Sequence, residues 1–123
     1  MTKTINPTTD RFQGNASKSV TILSGQTVAQ EGVNLSCFTL AGVLIPTMTG
    51  ASIKFQGSLD GTNFYQINDN LGTAITITTG GVAGIYKLNA ADFVGINWIK
   101  PVSASAEGAD RAVTLIGADI LNG

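Results

Sequence analysis

The side chains able to move protons or hold ions are few in this sequence, and none is a histidine. Acid–base chemistry would therefore fall to carboxylates. Asp60, Asp69, Asp92 and Asp110 all stand in stretches that read as turns or loops. An aspartate in such a place commonly accepts hydrogen bonds from its own backbone, so a structural role is expected for each. Asp60, Asn63, Asp69 and Asn70 carry the oxygen ligands that Ca²⁺ takes, but their spacing matches no compact calcium loop. Zinc would find no ligand set. Cys37, the single cysteine, has no internal disulfide partner and reads as a buried small hydrophobe beside Phe38. The chain has no phosphate-cradling glycine loop followed by lysine, no Gly-x-Ser-x-Gly and no thiol beside a base. The expectation is a protein that is not an enzyme and holds no cofactor or metal.

The aromatic residues are the remaining groups that could bind something. Tyr65 and Tyr86 could stack on a sugar ring, yet their strands predict packed rings with hydroxyls reaching the surface. Trp98, alternating with Ile96, reads as core, as do Phe55 and Phe64.

The elements that must position these residues are short strands. In Gly50 to Ile67, Ile53, Phe55, Gly57 and Leu59 alternate with Ser52, Lys54, Gln56 and Ser58. A period of two gives a strand one buried and one wet face. Asp60-Gly61 then turns the chain, and Phe64 to Ile67 runs back as a partner strand. Ser19 to Leu23, Ala74 to Thr78, Ile85 to Leu88 and Arg111 to Gly117 read the same way, with Val28 to Leu35 weaker. Phe38 to Ile45 is apolar on both faces, which fits a central strand. Asn89 can cap one helical turn that Gly95 stops, and the strand Gly95 to Lys100 is closed or bulged by Pro101. The fold class is all-β: a single antiparallel β-sandwich of about eight strands, jelly-roll-like, with an extended N-terminal arm. Residues 1–17, with Pro7 and the isolated Ile5 and Phe12, form the arm, and residues 18–123 form the sandwich domain.

At 123 residues the chain makes one domain that can fold without a disulfide or metal. Only 12% of its residues are charged, against about 25% in an average soluble domain. With a net charge of −1 there is no field to attract nucleic acid or an anionic membrane. No run reaches the length of a membrane span, and MTKTINPTTDRFQGNAS lacks the apolar core of a signal peptide. So sparse a charge suggests that other protein covers much of the surface.

The pieces VTILSGQTV, FTLAGVLIPTMTGASIKFQGSLDGTNFYQI, LNAADFVGINWIKPVSA and RAVTLIGADI, in that order, resemble a group of small tailed-phage structural proteins. In that group a sandwich domain decorates or cements the capsid. The resemblance covers about residues 18 to 118. It implies a virion protein on the capsid exterior, made in the host bacterial cytoplasm, with the phage major capsid protein as partner and a homo-oligomeric state, dimer or trimer. It also implies arm contacts to a neighbouring subunit through Ile5, Pro7, Arg11 and Phe12. SLDGTNFYQI is similar as well to the strand–turn–strand of discoidin-like carbohydrate-binding jelly rolls, as is the final WIKPVSA and RAVTLIGADI pairing. The rival roles are therefore another virion component, in a tail, connector or head-fibre base, or a carbohydrate-binding module for host attachment using Tyr65, Tyr86 or loop asparagines.

Overall fold

The computed structural model describes residues 15–35 and 38–118. The proposed arm residues Ile5, Pro7, Arg11 and Phe12, and also Cys37, lie outside them. Nine strands follow one another: β1 (Asn15–Ile22), β2 (Val33–Asn34), β3 (Thr39–Ile45), β4 (Ser52–Ser58), β5 (Tyr65–Gln66), β6 (Thr76–Thr78), β7 (Gly84–Lys87), β8 (Trp98–Ser103) and β9 (Arg111–Ala118). β1 thus begins three residues ahead of the boundary read at Lys18.

One sheet has the order β1-β9-β3-β7. The other has the order β2-β8-β4-β5, with β6 also pairing β4. Every pairing is antiparallel. Apart from β5 and β6, which together occupy one edge, successive strands alternate between the sheets. That alternation with these neighbours is the jelly roll, and it fixes the expected sandwich. β5 pairs Gln56–Gly57 and β6 pairs Ser52–Lys54, so they lie end to end along β4, separated by the turn around Asp69.

Residues that share a register row point to the same face. Lys18, Leu115, Val43 and Tyr86 form one inward row of the first sheet. Leu115 and Val43 are fully buried there. At the β1 edge, the Lys18 ammonium donates to the Asn34 carbonyl at 2.8 Å and ties that edge to β2 of the other sheet. Ile53 and Phe55 supply the facing layer, and Phe55 meets Phe93 edge-on at 5.7 Å between ring centroids. Phe93 comes from the 3₁₀ turn Ala90–Phe93, where Asn89 Oδ1 accepts from the Ala91 N–H as the cap.

β8 runs through Pro101 instead of ending there. The Pro101 carbonyl accepts from Ala29 N–H at 3.1 Å, so its missing donor faces residues 27–29 and the ladder to β4 is untouched. Within β8, Ile99 is the fully buried residue. Trp98 pairs with Ser58 and Asn34 on the outward face, where the Asp60-Gly61 turn covers it. Gly61 has φ +80° and lies so close that a Cβ would sit 2.7 Å from the indole. Phe64 is likewise outside the core: its ring lies under Lys100 Nζ at 4.4 Å and against Gly32.

Candidate functional site

Three regions gather the side chains that could act, and the most enclosed is centred on Glu107. Its carboxylate accepts from Thr49 N–H at 2.8 Å, Gly50 N–H at 3.0 Å, Ser103 Oγ–H at 2.6 Å and Arg111 Nε–H at 2.9 Å. Its own N–H reaches the Gln26 carbonyl, and its carbonyl accepts from Gly25 N–H. One residue thereby fastens the β1–β2, β3–β4 and β8–β9 connections to one another. Gly50 is required there, because a Cβ would overlap Ser103 Oγ. Only 2% of Glu107 is exposed. Burial pushes its carboxyl up, but the Ser103 hydroxyl, the two backbone N–H groups and Arg111 outweigh that and hold it at about 2. It is therefore an anion at neutral pH, and its four donors all come from the protein, which makes it a fastening between the loops. In the sequence its only mark is a carboxylate set in a run of small residues, Ser103 to Ala109, with an arginine four positions on.

The second region is a cleft of about 440 Å³ at the opposite end of the sandwich, lined by Leu59, Asp60, Asn63, Tyr65, Asn68 and Ile96 among others. Gly57 and Tyr65 are register partners, so the Tyr65 ring leaves the sheet on the core side. Among the described residues no facing layer covers that end, and Tyr65 is 73% exposed. Leu59 is 78% exposed because β4 stops at Ser58, before the alternation that was expected to bury it. Ile67 and Ile96 press against the Gly57 backbone and make an apolar floor.

The Asp60 loop forms the rim. Asp60 Oδ1 accepts from Thr62 N–H, Asn63 N–H and Ser58 Oγ–H, and Oδ2 accepts from Asn63 Nδ2–H at 3.0 Å. The Asn63 and Thr62 N–H groups, then the Ser58 hydroxyl and the Asn63 amide, hold its carboxyl far below the usual carboxylate range. Asn68 Oδ1 accepts from Gln66 Nε2–H at 2.9 Å. Asp69 closes its own turn through Leu71 and Thr73 N–H, and Asp110 accepts from Ser24 N–H across loops. Tyr86 is elsewhere: its ring packs on the core at the β7 edge and its hydroxyl donates to the Val82 carbonyl at 2.8 Å. The two tyrosines therefore form no common platform.

The third region is the outward face of the first sheet. Ser19, Thr114, Leu44 and Ile85 form one row across it. At the β1 side Ser19 and Thr114 hydroxyls bond at 2.7 Å. Toward β7 the row becomes apolar, with Leu44 42% and Ile85 63% exposed. Among the described residues no helix is long and apolar enough to cross a membrane, and no three His, Cys, Asp or Glu gather as a metal site.

No family model matches the chain, and no curated protein does. Two solved structures are similar to it. One is the SPBc2 prophage-derived protein YomS, at 16% identity and a TM-score of 0.50 over 84% of this chain and 93% of that one. The other is a Bacillus endospore appendage protein of disulfide-linked pili, at 18% identity and a TM-score of 0.37 over 85% and 88%. The likeness to YomS is one of fold.

Proposed function

We propose that the protein is a structural component of a phage-like particle, and more narrowly a decoration or cement protein that binds the outer surface of the head and braces neighbouring major capsid subunits. The observation that carries this reading is the outward Leu44–Ile85 row on a domain with so few charges. An apolar strip beside the β7 edge, which has no second strand partner among the described residues, suits contact with other protein. The fold it shares with a prophage-derived protein supports a phage setting. The arm, through Ile5, Pro7, Arg11 and Phe12, would lie across a neighbouring subunit. Self-association as a dimer or trimer would place copies on a capsid symmetry axis, and repeated modest contacts would add avidity.

The test is to mix the full chain with heads that lack it, pellet them, and image the particles. Co-pelleting that survives high salt, with density on the head exterior, is expected. Deletion of residues 2–14, which leaves β1 whole, should abolish binding while the domain stays folded, and Leu44→Ser with Ile85→Ser should weaken it. Density on tails alone, or release by moderate salt, would overturn the head-decoration reading.

A further inference from the structure

We infer that the cleft beside Tyr65 is a binding site for a neutral saccharide. The argument begins with where the aromatic ring is. Tyr65 sits on the core side of its strand, at the end where the facing sheet offers no cover. A ring in that position is held by its backbone ladder, yet its face is open to a ligand. The floor beneath it is apolar, made by Ile67 and Ile96 against Gly57. The rim is polar, made by Asp60, Asn63 and Asn68. An apolar floor and an aromatic wall under a polar rim are complementary to a pyranose, which has C–H faces and hydroxyls around its edge.

The charge of the lining narrows the choice. Among the described residues Asp60 is the only charged one that lines the cleft, so phosphates, nucleotides and acidic sugars meet an anion with no described cation to offset it. A purely hydrocarbon ligand would bury the Asn63 and Asn68 amides without satisfying them, at a cost in free energy. Sugar hydroxyls can donate and accept, and they match what the rim has left to offer. Asp60 Oδ2 accepts a bond from Asn63, and a carboxylate oxygen has a second acceptor site. Asn68 Oδ1 is taken by Gln66, and the Asn68 amide carries two N–H donors besides. The Asp60 loop is already fixed by its internal bonds, so little ordering is required on binding. The cleft volume of about 440 Å³ lies within the range of small-ligand sites.

The experiment needs no particle, so its outcome is separate from that of the decoration reading. The ¹⁵N-labelled full chain is titrated with the methyl glycosides of glucose, galactose, mannose and N-acetylglucosamine, and amide shifts are followed. Saturable shifts in the millimolar range are expected at Gly57, Asp60, Asn63, Tyr65 and Ile96 for at least one glycoside. Tyr65→Ala should weaken that binding about tenfold, equivalent to about 1.4 kcal/mol. Its exposure means the dispersed spectrum should be kept, and Asn68→Ala provides a second variant. Tyr86→Phe should leave binding unchanged. No saturable shift with any of these glycosides would overturn the inference. So would shifts that persist in Tyr65→Ala, or cleft amides that move only with protein concentration, which would assign the cleft to a second copy of the chain.

Discussion

Replacing Glu107 with glutamine keeps the size of the side chain and removes the acceptor charge that four donors converge on. A glutamine amide must turn its Nε2–H₂ toward one of those donors, leaving a buried clash of like groups and an unpaired Arg111. Breaking a buried, hydrogen-bonded ion pair in this way costs about 3–5 kcal/mol, which is a large part of the stability of a domain this size. The same contacts dictate a pH dependence. The folded carboxyl lies at about 2 against an ordinary 4.5, so the stabilisation is complete above about 4.5 and is lost as pH falls toward 2. The full difference is about 3 kcal/mol, of which about 2 kcal/mol is gone by about pH 3. Urea denaturation of the full chain and of Glu107→Gln, followed from about pH 7 to about pH 3, separates this carboxyl from the others. The wild type should start well above the variant and converge on it in acid. A variant within about 1 kcal/mol of wild type at neutral pH, or one with the same acid slope, would refute the assignment of Glu107 as the fastening of that end.

Other perturbations follow from the same structure. Gly50→Ala drives a methyl into Ser103 Oγ, so a loss of about 2–3 kcal/mol is expected in urea denaturation. Gly61→Ala meets both a left-handed φ and the Trp98 indole; a loss of about 1–3 kcal/mol is expected, with a change in the emission of the single tryptophan as the readout. Phe93→Ala removes the edge-on partner of Phe55 and should cost about 3–5 kcal/mol, measured as a lowered denaturation midpoint. Tyr86→Phe deletes one hydrogen bond to Val82 and should cost about 0.5–1.5 kcal/mol.

The strands were legible wherever period-two alternation was long. β4, β9 and the central β3 fall where the residues place them, and the Asn89 cap and the Asp60 turn form as expected. The misplacements share a cause, since alternation tells which side of a strand a residue takes but not what lies opposite. Leu59 and Tyr65 follow the inward series and emerge into solvent because the facing layer ends first. Trp98 and Phe64 belong to the outward side and are covered by a returning loop, a cover that no local pattern announces. Pro101 reads as a strand end because a missing donor is costly within a ladder. It is tolerated because that donor would have faced the irregular stretch 27–29. Glu107 was illegible for a different reason: its partners lie up to 82 residues away in sequence at Gly25, and only the closed fold brings them together.

Asn15 and Ala118 are register partners on neighbouring strands, so the chain enters and leaves the sandwich about 5 Å apart. The Asp60 loop and the connection that carries Ile96 belong to this end, while Glu107 secures the far one. A fluorophore or peptide joined directly to Asn15 or Ala118 would therefore sit at the Tyr65 end of the domain. The same proximity makes the domain suited to circular permutation, with a short linker joining the old ends and new ones opened at the exposed Asn70–Leu71 tip.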